Sequence, residues 1–131
     1  MTAYERTWIV VLDDSRVRFL RHEASGGWAQ AAAELATSLP GTARPEERRN
    51  ARARLMQQAM GVVDDACDRN QCDRIVIIGQ ERLLRNFRAA ATDWVRVRLW
   101  RERAADTGSL TDEEIVKSVE GYFRSGPRQI A

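Results

Sequence analysis

Lysine is nearly missing from this chain. Of its 21 basic residues only Lys117 is a lysine and the other 20 are arginines. Cysteine and histidine are also scarce, with two of the first and one of the second. Cys67, Cys72 and the distant His22 cannot supply the four ligands of a structural zinc, so no metal or other cofactor is expected. A local Cys67–Cys72 disulfide is the alternative to two buried thiols, and the missing secretory context favours thiols. Long apolar runs are absent as well. Trp8 to Leu12 is too short for a signal-peptide core or a membrane span, so the expectation is a cytoplasmic protein with no membrane partner. His22 has only Glu23 and Ser25 as polar neighbours in sequence. These are turn residues and make no nucleophilic triad, so His22 reads as a surface histidine.

What is present supports one folded unit. A chain of 131 residues with 44% hydrophobic residues can bury a core without staples, and residues 1–131 are read as one domain. The formal charge of +2 hides an uneven distribution, since Arg44 to Arg103 holds 14 arginines against 9 acids. Arginine enrichment can reflect phosphate recognition through the guanidinium fork. Its spread over the whole chain fits a bias toward arginine codons better than a dedicated patch.

Asp73-Arg74-Ile75-Val76-Ile77-Ile78-Gly79 organises the rest and reads as the central strand. A β-branched apolar run without alternation must be covered on both faces, which calls for helices on each side of a sheet. Gly79 ends this strand at the edge where open α/β sheets place their ligands. Thr7 to Leu12 is a second buried strand, joined through Asp13-Asp14-Ser15 to Arg16–Arg21 as an antiparallel hairpin. Ser25-Gly26-Gly27 makes a turn, and a third strand is placed near Glu34 to Thr37. Two prolines and a glycine make Leu39 to Pro45 a loop. Glu46 to Asp68 is the longest helix, with Ala51, Leu55, Ala59, Val62 and Ala66 on one stripe. Arg82 to Ala91 is a second helix with Leu83, Leu84, Phe87 and Ala91 inward. Asp93 to Trp100 alternates and reads as a strand, with Arg101 to Ser109 as a polar connection. Thr111-Asp112-Glu113-Glu114 is a capping box opening a last helix that Gly126-Pro127 stops. The sum is an α/β fold with a mixed sheet of about five strands and three helices.

The candidate contact residues are arginines. Arg48 and Arg52 belong to a cluster, with Arg44, Arg49 and Arg54, in the first turns of the long helix. Cations there oppose the helix dipole unless acids or an anionic partner compensate. Pairing with Glu46 and Glu47 is the simpler reading and a phosphate-facing cluster the other. Arg82, Arg85 and Arg88 share the outer face of the second helix, beginning at the ligand edge. Arg96 and Arg98 interleave with Trp94 and Trp100, a pattern that suits either a nucleic-acid platform or a face covered by the next helix.

The order of these elements carries a resemblance. A tryptophan-led hairpin (Trp8 to Leu20), a Pro-Gly loop before a long helix, an Asp-Arg-apolar strand, an Arg-Leu-Leu-Arg helix and a Leu-Thr-Asp-Glu-Glu cap resemble the bacterial host-attachment protein family. That family is similar to the middle domain of archaeal and eukaryotic class I peptide-chain release factors and to Pelota-type rescue factors. The resemblance runs from Thr7 to Phe123 and implies a ribonuclease H-like topology. It implies a ribosome or structured RNA as partner, or a protein partner in attachment to a host. The release-factor domain works through a Gly-Gly-Gln loop, which this chain lacks: Gly26-Gly27 is followed by Trp28, and Gly79-Gln80 is preceded by Ile78. Peptidyl-tRNA hydrolysis is therefore not expected. A metal-dependent nuclease using Asp13 and Asp14 is a further alternative, but two-metal chemistry needs several converging carboxylates and these two read first as turn formers.

Overall fold

The computed structural model describes residues 6–23 and 27–125, the last three by their backbone alone. The expected turn at Gly26, the Phe123 side chain and the stop at Gly126-Pro127 lie outside that range. Five strands form one mixed sheet: β1 (Thr7–Leu12), β2 (Arg16–His22), β3 (Trp28–Ala36), β4 (Arg74–Gly79) and β5 (Leu99–Ala104). Their spatial order is β3-β2-β1-β4-β5. The first three are joined as antiparallel neighbours, whereas β4 runs parallel to both β1 and β5. The middle strand is thus β1; the Asp73–Gly79 run expected at the centre supplies β4, which lies beside it and begins at Arg74. Helices α1 (Pro45–Asp68) and α2 (Glu81–Ala90), with the short α3 (Asp93–Arg96), are followed after β5 by α4 (Asp112–Ser125).

Alternation along the strands sends side chains to two cores. Trp8, Val10 and Leu12 of β1 join Val17, Phe19, Ile75 and Ile77 against Leu55, Ala59, Val63, Leu83 and Phe87 of α1 and α2. Ile9, Val11, Leu20, Val76 and Ile78 face the other way, onto Ile115, Val116 and Val119 of α4. The expected stripe of α1 is buried except for Val62, which is partly so, and Met56, Met60 and Cys67 widen it. Cys67 and Cys72 are buried free thiols. A hydrogen bond with Cys67, then burial, pushes the Cys72 thiol up.

Three expectations are corrected. The third strand is Trp28–Ala36, longer than the stretch near Glu34 to Thr37. Its alanines fit an edge strand because Ala31, Ala32 and Leu35 pack on the core beneath α1. The segment Asp93 to Trp100 is not one strand. Thr92 caps α3 by accepting from Val95 N at 3.3 Å, while Val95 is fully buried and Val97 is 76% exposed. The apparent alternation is a helix start followed by a turn, and the true strand, Leu99–Ala104, occupies what read as a polar connection. It is polar because it is an edge. His22, finally, is buried.

Two contacts tie the layers together. A Cβ on Gly79 would lie 2.8 Å from Leu12 O and 2.9 Å from Leu12 Cβ, so β1 and β4 end too close for any other residue there. The guanidinium of buried Arg18 donates to Leu110 O at 2.9 Å, Asp112 Oδ1 at 3.0 Å and Thr107 O at 3.0 Å. Thr107 Oγ1 in turn donates to Leu12 O at 2.7 Å. One arginine thus holds the β5–α4 connection onto the sheet, and the expected Thr111–Glu114 capping box completes the helix start at 2.8 and 3.1 Å.

Arg18→Met should cost about 2–4 kcal/mol, mostly from carbonyls left without a donor, because Asp112 itself is half exposed. Urea unfolding would read this as a lower midpoint at unchanged slope. Burial holds the His22 imidazole below its ordinary value of 6.5, partly offset by Glu120 and Glu23. The unfolded chain therefore binds the proton first, and this residue's contribution to stability is lost as pH falls from above 6.5 toward its depressed folded value. Melting temperature measured between pH 7.5 and 5.5 should fall less steeply in His22→Gln than in the parent.

Candidate nucleic-acid interface

Because β1 and β4 are parallel, they end at one edge of the sheet, and the chain leaves that edge twice. From β1 it turns through Asp13-Asp14-Ser15 into β2. From β4 it enters α2 at once, with Gln80 as the cap residue in extended conformation. Helix α1 brings its arginines past the same edge. Asp14 there accepts from Arg82 Nη2 at 3.0 and 3.3 Å and lies 4.0 Å from Arg52 Nε. Each of these side chains keeps a third or more of its surface exposed. Such pairs contribute at most about 1 kcal/mol, so an external anion can exchange for Asp14.

Below this cluster α1 and α2 separate into a groove of about 570 Å³. From α1 come Arg49, Arg52, Ala53, Met56 and Gln57, and from α2 come Arg82, Leu83, Asn86, Ala89 and Ala90. Both sets follow helical spacing, and the alanines, with one methyl each, leave the space between the helices unfilled. A second cavity, of about 250 Å³, lies on the other side of Arg52 among Asp14, Ser15, Thr37, Leu39, Arg48 and Ala51. Arg52 lines both.

The structure divides the arginines picked from sequence. Arg52 and Arg82 meet at Asp14. Arg85 is exposed on the same helix, with no ion pair among the described residues. Arg48 is turned back onto its own loop, donating to Gly41 O at 2.9 Å and Ala43 O at 3.3 Å. Arg88 is paired with Glu102 of β5. Arg96 donates to Asp93 and to Ala91 O, and Arg98 to Cys72 O and Trp94 O. These last two lie at the opposite edge, where β4 begins, because Ile75 N donates to Arg98 O at 2.8 Å. Glu46 and Glu47 form no ion pair with the α1 arginines among the described residues; Glu47 accepts from the Arg44 backbone instead, at 2.8 Å. Gln57, Asn86 and the facing alanines were missed. Their signal was the shared spacing of small and amide residues on two helices, which means nothing until the helices are known to be neighbours.

The aromatic platform does not form. Trp100 lies beneath Arg74, whose guanidinium carbon is 3.7 Å from the ring centre, and beside Tyr122. Trp94 is 52% exposed and stands on α3. Asp13 serves the hairpin turn, accepting from Ser15 Oγ at 3.1 Å and Ser15 N at 3.4 Å. Asp73 precedes β4 at the far edge, where Thr7 pairs with Arg74. Among the described residues no three His, Cys, Asp or Glu side chains group so as to hold a metal ion. Among the same residues no helix is long and apolar enough to cross a membrane.

No family model matches the sequence, and no curated protein matches it. Solved structures do match the fold. The crystal structure of the archaeal translation termination factor aRF1 aligns with a TM-score of 0.58 at 7% identity, over 95% of this chain and 42% of that one. A structure described as an archaeal protein aligns with a TM-score of 0.54 at 10% identity, over 95% of this chain and 41% of that one. The chain therefore spans about two fifths of the length of these structures. At such identities the likeness is one of fold, and it agrees with the release-factor-like architecture expected from the order of elements.

Asp14→Asn removes the acid between Arg52 and Arg82 and should shift elution from heparin to higher salt. Its melting temperature should stay within about 3 °C of the parent, as befits exposed ion pairs.

Proposed function

We propose that this chain is a non-catalytic binding module for RNA, associated with the ribosome or with structured RNA, and that it contacts phosphates through Arg52, Arg82 and Arg85. The observation that carries this reading is the meeting of arginines from α1 and from the start of α2 at Asp14, on one edge of a sheet whose fold is shared with a translation termination factor. Guanidinium groups favour phosphate oxygens, and Arg82 sits in the first turn of α2, where the helix N–H groups favour them as well. Arg49 extends the surface along α1. Arg48 lines the second cavity beside Asp14 and Arg52 but is turned onto its own loop, and Arg88, Arg96 and Arg98 are engaged by other groups of the chain, so none of the four is included in the proposed contact set. Peptidyl-tRNA hydrolysis is not part of the proposal. The sequence has no Gly-Gly-Gln, and Gly79-Gln80 is held between a strand end packed on Leu12 and a helix cap.

A second reading, a protein-interaction factor of the host-attachment type, is favoured by one observation. Trp94 and Val97 are exposed, 52% and 76% respectively, at the edge opposite Arg52 and Arg82, with Arg98 beside the Trp94 ring. A partner held there would be indifferent to salt and to the arginine substitutions.

Binding of the purified protein to ribosomal RNA, transfer RNA and heparin at two salt concentrations tests the proposal. Selective RNA binding with a steep salt slope is expected. Arg52→Ala and Arg82→Ala should each weaken it across all sequences and lower the slope by about one. Equal affinity for every polyanion, or none, would sink the RNA reading and direct attention to the Trp94 face.

A further inference from the structure

The groove between α1 and α2 has a chemistry that phosphate contacts alone do not use. Its lining combines buried Met56 and Leu83 with exposed Ala53, Ala89 and Ala90 and two exposed carboxamides, Gln57 of α1 and Asn86 of α2. Three guanidinium groups, those of Arg49, Arg52 and Arg82, gather at the end where both helices start. From these features we infer that the groove is a slot for one unstacked base of single-stranded RNA, with the adjoining phosphates held by the three arginines. The inference rests on the RNA-binding reading above and specifies its ligand as single-stranded.

Size, polarity and charge agree on this occupant. A volume of about 570 Å³ falls within the range of small-ligand sites and exceeds what water alone requires. Met56 and Leu83 offer two apolar side chains, enough for the face of one ring. A partner helix would need anchors over two turns or more, and the groove does not supply them. Carboxamides carry a donor and an acceptor each, so Gln57 and Asn86 can read a base edge, whichever base it is. Guanidinium planes both bind phosphate and stack on bases, which suits a base entering beside its own backbone. Arg49 has no ion pair among the described residues, and Arg52 and Arg82 share the single carboxylate of Asp14. The charge at this end of the groove therefore exceeds its internal neutralisation. A duplex keeps its bases stacked and could reach the arginines but not the slot.

The test uses the full chain, a short fluorescent oligoribonucleotide, the same oligomer with abasic sites, and an RNA duplex of equal length. Fluorescence anisotropy reads affinity at one fixed salt concentration. Ala53→Phe and Ala89→Phe fill the slot from exposed positions, and their circular dichroism and melting curves report whether the fold survives. Gln57→Ala/Asn86→Ala gives a second probe without added bulk. The slot predicts that each phenylalanine variant weakens single-strand binding by about tenfold or more, while duplex and heparin binding stay within about twofold. The abasic oligomer should bind the parent as weakly as the intact strand binds the filled variants. If the parent binds the intact and abasic strands equally and the filled variants match it, the slot is overturned while the RNA-binding reading stands. If the parent binds no RNA, both fail. If single-strand binding falls only when Arg52 and Arg82 are replaced, the arginines act alone and the slot is again overturned.

Discussion

The close parallel pairing of β1 with β4 is the constraint on which the rest depends. Both strands are buried on both faces, so neither side of the sheet can be left to water. Helices must cover each side, and a parallel pair needs a long crossover between its members. Helix α1 is that crossover, and α4 covers the opposite face. The approach is tightest where the strands end, since Gly79 sits against Leu12 with no room for a Cβ. That approach sets the height at which α2 begins, and with it the position of Arg82 beside Asp14.

Polar groups enforce the same arrangement where the apolar layers cannot. Leu12 O receives the Thr107 hydroxyl, and Thr107 O receives Arg18, so β1, β2 and the segment before α4 are linked through one short chain of hydrogen bonds. A buried arginine is costly unless its donors are used, and Arg18 has three acceptors. The arginine-rich composition thus has two roles. Some guanidinium groups donate to backbone carbonyls of the chain, as buried Arg18, half-buried Arg98 and exposed Arg48 do. Others, at Arg49 and Arg85, remain at the surface without an internal ion pair among the described residues. Composition could not separate these roles, because the difference lies in which carbonyl or carboxylate is within reach.

Much of the architecture was legible from local patterns. Strands with no alternation, such as Ile75 to Ile78, announce burial on both faces. The Thr111–Glu114 box marks a helix start by chemistry that acts within one turn. Where reading failed, two local signals competed. Asp93 to Trp100 alternates like a strand, yet Thr92 and Asp93 form a helix start, and the burial of Val95 decided for the helix. The alanines of β3 lack strand propensity, and only packing against α1 makes small residues suitable there. The candidate site was half legible. Arg52, Arg82 and Arg85 were picked from charge and from their place after the sheet edge, whereas Arg96 and Arg98 were picked from an alternation that does not exist in three dimensions.

By itself, the sequence determined the α/β class, the two-faced burial of β1 and β4, the bounds of α1, the start of α4 and the edge at which Gly79 ends its strand. These follow from periodicity, caps and β-branched runs, which act over a few residues. Only the tertiary structure decided that Asp14 would stand between Arg52 and Arg82, that α1 and α2 would face each other across alanines, and that Arg88 and Arg98 would be engaged by other groups of the chain. The residues concerned lie 14 to 68 positions apart along the chain. Their meeting depends on strand order and parallel register, which no local pattern encodes.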